Sequence, residues 1–157
     1  MADLHDMLQE YVGNGSFPGA VGLVACGDRA EVAAAGSIAV GGPSMAGDGT
    51  AAAGGRRLLM ADSVRMMTAD HTTAAQREIG QLFLERQGWG FGGSVDVAAI
   101  DPWNVPGRYG WVGGTGTSAH ITPSAGTVAI LLTQVAADSP TPPNWIRDFW
   151  RYAAKAC

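Results

Sequence analysis

The chain has 157 residues, 46% of them apolar and 15% charged, which is the composition of one globular domain with a real core and not of a disordered segment. Its net charge is −4, and the basic residues, nine of ten of them arginine, are scattered without forming a stripe. That balance speaks against nucleic acid or an anionic membrane as a partner, and no apolar run reaches the roughly 20 residues a bilayer span needs.

The first helix is written in Leu4, Met7, Leu8, Tyr11 and Val12, which recur at helical spacing opposite Asp3, His5, Asp6, Gln9 and Glu10 and stop at Gly13 and Gly15. This acidic, amphipathic start is unlike a leader peptide, so cytoplasmic residence is the default expectation. Two apolar runs then flank Gly27-Asp28-Arg29 and predict a β-hairpin over about residues 20–36. Residues 41–57 are small, nearly chargeless and without period, the pattern of a linker or exposed loop. Asp62-Ser63 is positioned to cap a short helix, and Thr72 or Thr73 to cap another that opens at Ala74.

Residues 87–97 alternate large and small as a strand does. After a turn at Asp101-Pro102 a second strand run starts at Arg108, meets a glycine-rich turn and continues through Ser118 and His120. Thr127 to Thr133 is continuously apolar and β-branched, as in a central strand. Asn144 is placed to cap the last helix, whose Trp145, Ile146, Phe149, Trp150 and Ala153 form a broad face that must lie on a sheet. Trp89 and Trp111 sit on strands, where pocket lining and core packing are both open, and Trp103 has no assignment. Cys26 and Cys157 make neither a disulfide framework nor a metal site and read as free thiols. The expected architecture is one α+β domain over 1–157, an α/β sandwich. It comprises a helix and hairpin in 1–40, the linker, and short helices, three strands and a closing helix in 58–157. About five antiparallel strands are flanked by the terminal helices.

Four stretches, in order, carry a resemblance: FPGAVGLVACGDRAEVAAAG at 17–36, RRLLMADSVRMMTADHTTAAQR at 56–77, GWGFGGSVDV at 88–97 and GRYGWVGGTGTSAHITPSAGTVAILLTQ at 107–134. Together they resemble the serine β-lactamase and penicillin-binding-protein superfamily, most closely the class C β-lactamase-like esterases. The resemblance implies a β-lactamase/transpeptidase-like fold, here truncated, with the linker standing where the family carries a helical insert. It also implies a serine hydrolase acting on a small ester, β-lactam or D-amino-acid peptide without a cofactor. Of the family's three motifs, only the strand triad has a counterpart, Trp111-Val112-Gly113, with Thr115 in the turn beyond and the N–H of Gly114 as a donor to an oxyanion. Each such donor is worth about 2.7–4 kcal/mol in a transition state. Glycine at 113, 114 and 116 would let a substrate approach the backbone without meeting a Cβ.

The other two motifs are missing. Lys155 is the only lysine and Tyr152 stands three residues before it, so no Ser-x-x-Lys exists; none of Tyr11, Tyr109 and Tyr152 begins a Tyr-x-Asn. Ser118 and His120 share a strand face and are the remaining catalytic candidates, with Asp96 or Asp101 to orient the imidazole. Side chains at i and i+2, about 6–7 Å apart at Cα, do not naturally point at each other, so a solvated strand face is the competing reading. His71 reads as a capping or surface residue and His5 as part of the polar helix face; the three histidines give no metal spacing. Three expectations follow. The chain is an inactive remnant of such a hydrolase, or a binding module that self-associates through an uncovered sheet surface, or the product of a deletion at the 41–57 joint with no selected function.

Overall fold

The structure, a computed structural model, describes residues 3–37, 60–79 and 85–156. The linker at 41–57 and Cys157 lie outside these described residues. Asp3 caps the first helix, accepting a hydrogen bond from the Asp6 N–H at 2.8 Å, and α1 (Leu4–Gly13) buries Leu4 and Leu8. The hairpin pairs β1 (Gly19–Cys26) with β2 (Arg29–Gly36) around Gly27-Asp28, with Gly27 at φ 56°, the positive dihedral that a tight two-residue turn requires.

Beyond the linker come α2 (Ala61–Met67) and α3 (Ala74–Ile79). The α2 helix starts one residue before Asp62, which lies in its first turn and does not cap it. Thr73 does cap α3: Gln76 N–H donates to Thr73 Oγ1 at 3.3 Å, and Gln76 Oε1 accepts from Thr73 N–H at 2.8 Å. The remaining strands are β3 (Gly88–Trp89), β4 (Ser94–Val95), β5 (Tyr109–Gly113), β6 (Thr117–Thr122) and β7 (Thr127–Thr133), followed by α4 (Asn144–Lys155). Asn144 is the first residue of α4, Pro143 stands at its cap, and no side-chain cap bond forms there.

The sheet has seven strands in the order β2-β1-β7-β6-β5-β4-β3, all antiparallel and open, with four helices among the described residues. The expectation of about five strands undercounts because two runs fold back on themselves. Residues 87–97 turn at Gly92 (φ 84°), and residues 108–122 turn at 114–116. Both terminal helices lie on one sheet face, α1 against β1 and β2 and α4 against β7 and α1. Strand alternation then fixes which residues are covered: Ala20, Val24, Ala33, Ala35, Ala129 and Leu131 join Leu4, Leu8, Phe17, Ile146 and Phe149 in one core. The other face carries Val21, Leu23 and Ile130, half-buried, and Leu132, which is 50% exposed. Cys26 is not a free thiol: it is disulfide-bonded. No helix among the described residues is long and apolar enough to cross a membrane.

Candidate functional site

Trp111, Val112 and Gly113 form the end of β5, and the chain reverses over Gly114-Thr115-Gly116 into β6. Gly116 takes φ 77°, and its N–H donates to the Gly113 carbonyl at 3.0 Å, so the turn needs glycine at this position. A Cβ on Gly116 would lie 1.8 Å from the Val135 carbonyl oxygen, and one on Gly113 would lie 2.7 Å from Thr117 Oγ1. Gly116 thus makes room for the protein's own backbone and not for a ligand, whereas the space at Gly113 is shared with the Thr117 hydroxyl. Gly114 alone faces open space, with nothing within 4 Å of an added Cβ, and its carbonyl is fixed by the Ala137 N–H at 2.8 Å.

Beside this turn lies a cavity of about 180 Å³, lined by Trp111, Val112, Gly113 and Gly114 together with Asp96, Arg108, His120, Trp103 and Trp150. Thr115 is exposed and lies outside it. The ladder between β4 and β5 ends at Gly110, so β4 does not pair with the 111–113 stretch. His120 stands opposite Gly110 in the register, and a Cβ on Gly110 would approach the ring Cδ2 to 2.6 Å. The Ala119 carbonyl oxygen would lie closer still, at 2.1 Å, so the missing side chain makes room for the β6 backbone and the imidazole together. A second cavity of about 100 Å³ shares Trp103, Arg108, His120 and Trp150 with the first as lining residues.

Ser118 and His120 do meet: Ser118 Oγ and His120 Nδ1 share a hydrogen bond of 3.1 Å, and Trp150 Nε1 donates to the same hydroxyl at 2.9 Å. The strand-spacing argument against contact fails because α4 presses an indole onto this face and turns both side chains toward it. Nor is the face solvated, since Ser118 is 1% and His120 5% exposed. Burial and then the positive charge of Arg108 hold His120 well below 6.5, so the ring is neutral at pH 7. Neither proposed orienting carboxylate bonds it. Asp96 Oδ2 accepts from Asn104 Nδ2 at 3.0 Å and Val105 N–H at 3.1 Å, while Asp101 meets Asn104 through its backbone, its N–H donating to Asn104 Oδ1 at 2.9 Å. Ser118 lines neither cavity, so in this arrangement its hydroxyl has no approach for a substrate carbonyl.

Sequence reasoning passed over Arg108 as a mere strand start. Its guanidinium stacks on Trp150, 4.8 Å from the ring centroid, and pairs with Asp96 at 3.6 Å, both side chains being buried. Burial pushes the Asp96 carboxyl up and the Arg108 guanidinium down to about 10, each against the pull of its partner. The signal was an acid ending one strand run and a base opening the next. Trp103, left unassigned above, is 2% exposed and packs 5.7 Å from Trp150, with Arg151 over its ring at 4.9 Å. Trp89 and Trp111 meet edge to face at 4.7 Å. His71 is exposed and stacks on Phe91 at 4.5 Å, and His5 is exposed and bonds the Ala34 carbonyl. Among the described residues there is no group of His, Cys, Asp and Glu fit to hold a metal. No protein-family model matches the chain, and no curated protein matches it.

Proposed function

We propose that the chain is the sheet half of a serine β-lactamase-like, esterase-type hydrolase, inactive by itself, with one wall of a substrate site in place and no nucleophile. The observation that carries this reading is the end of β5. Trp111 to Gly114 border a cavity beyond the point where β4 stops pairing, and Gly114 is open to an approaching group. The order β2-β1-β7-β6-β5, covered on one face by the first and last helices, supports it as well. Activity needs more than this wall, since a nucleophile requires a base within reach and an open path, and Ser118 lacks the path. The disulfide at Cys26 favours an oxidising compartment over the cytoplasmic default.

A chromogenic ester or cephalosporin assay on the purified chain tests the reading, and background turnover is expected. Turnover well above buffer that an active-site serine probe abolishes would sink it, and Ser118→Ala would then show whether that serine is responsible. A second reading, self-association, rests on Leu132, half exposed on a central strand, and on its neighbours Val21, Leu23 and Ile130. Light scattering behind size exclusion separates the two: a clean monomer at high concentration removes the second reading and leaves the first standing.

A further inference from the structure

The chain has three asparagines, and one of them, Asn14, is followed by glycine at an exposed helix end. The backbone nitrogen after an asparagine can attack the side-chain amide when the two are brought together, and glycine puts no side chain in the way. Asn14 is the C-cap of α1, with φ −87° and ψ 0°. Its Oδ1 accepts from the Ser16 N–H at 3.0 Å and from the Ser16 hydroxyl at 2.6 Å, the turn an asparagine makes with the chain two residues on. The amides that follow are tied back to the helix as well. Gly15 N–H donates to the Val12 carbonyl at 3.1 Å and Ser16 N–H to the Tyr11 carbonyl at 3.0 Å. The other two asparagines precede valine and tryptophan, Asn104 donating to Asp96 and Asn144 opening α4.

Closing a five-membered imide requires Cβ of Asn14 and the nitrogen of Gly15 to eclipse one another about the Cα–C bond. At ψ 0° that nitrogen eclipses Asn14's own nitrogen, and tetrahedral geometry leaves Cβ about 120° away. Rotating by that amount carries Gly15 and Ser16 off the helix and breaks their bonds to Val12 and Tyr11, so it requires the last turn of α1 to open. We infer that Asn14 is a site of spontaneous deamidation guarded by its turn with Ser16. When the turn opens, the Gly15 nitrogen bonds to Asn14 Cγ, the Cγ–Nδ2 bond breaks, and ammonia leaves with the Gly15 amide hydrogen. Water then opens the imide at either carbonyl, leaving aspartate or isoaspartate at position 14. Both products place a negative charge at the negative end of the α1 dipole, in a chain already at −4. Isoaspartate also lengthens the backbone just ahead of Phe17, which is buried against Tyr11 and Trp145. None of these steps needs the hydrolase reading, and an ester assay can fail or succeed without deciding them.

The test is to age the full chain in mildly alkaline buffer, folded and unfolded in guanidinium chloride. The peptide carrying Asn14 is then followed by mass spectrometry for loss of the amide, with isoaspartate separated from aspartate by chromatography. Conversion at Asn14 is expected in both, about ten-fold or more slower in the folded chain, while Asn104 and Asn144 of the folded chain stay intact. Ser16→Ala removes the hydroxyl donor to Asn14 Oδ1 and should reduce the protection given by folding about three-fold or more. Measuring the variant unfolded as well cancels any effect of the changed sequence on the chemistry. No conversion at Asn14 in the folded chain, equal rates in the folded and unfolded chain, or unchanged protection in folded Ser16→Ala overturns the inference. If that variant does not fold, the comparison of folded with unfolded unaltered chain decides alone.

Discussion

Beneath β1, β2 and β7 the helix-covered face of the sheet is built from Ala20, Val24, Ala33, Ala35, Ala129 and Leu131, packed on Leu4, Leu8 and Phe149. Beneath β5 and β6 the same face, at similar burial, presents Ser118, His120 and Thr122 with Arg108 and Asp96 beside them. The first region gains stability from every side chain it covers. The second must desolvate an ion pair, an imidazole and a hydroxyl, and even with partners such groups are often no more stabilising than apolar residues of the same shape. Stability and site are thus divided between the two ends of one sheet, and both cavities border the polar end.

The division breaks most sharply at Asp96. Asp96→Ala strands the buried Arg108 guanidinium and should cost ~3–5 kcal/mol in urea unfolding, whereas Asp96→Asn with Arg108→Met removes both charges, keeps an acceptor for Asn104 and Val105, and should cost less. If the double replacement costs as much as the single one, the polar end is a source of stability after all. Next comes Leu8→Ala in the apolar end, expected to lose ~2–5 kcal/mol. Ser118→Ala should cost about 1–3 kcal/mol, because the Trp150 N–H loses its acceptor, and the indole N–H resonance should move.

The smallest effect is in pH. His120 is depressed in the fold, so the unfolded chain takes up a proton there that the folded one refuses. Its contribution is complete above about pH 6.5 and is lost as pH falls below that, by at most ~1.4 kcal/mol per pH unit. Asp96, raised by burial, acts in the opposite sense, so the readout is the difference between the unaltered chain and His120→Asn. Parallel stability curves for the two proteins would show that His120 does not titrate differently on folding.

Most of the architecture was legible because its signals are local. Periodicity located the first and last helices, Gly27-Asp28-Arg29 located the hairpin, and Thr72 or Thr73 marked a cap, which forms at Thr73. The strand count was not, since Gly92 and Gly116 look alike in sequence whether a run bends or reverses; their positive dihedrals are set by what packs around them. The Asn144 and Asp62 caps failed for a similar reason, as each helix begins one or more residues away from the expected register. The disulfide at Cys26 was not legible, since two cysteines without a framework spacing say nothing of pairing.

The sequence by itself determined that Trp111 to Gly114 ends a strand at a glycine turn, that Ser118 and His120 share a strand face, and that no Ser-x-x-Lys exists. Only the tertiary structure decided that the shared face is buried, that Trp150 from the last helix holds Ser118 away from any ligand, and that Arg108 is left with an unpaired buried donor. The reason is that alternation along a strand assigns side chains to a face and says nothing of what covers it. That cover comes from α4, whose Trp150 bonds Ser118 on β6 and carries the Arg108 guanidinium on its ring.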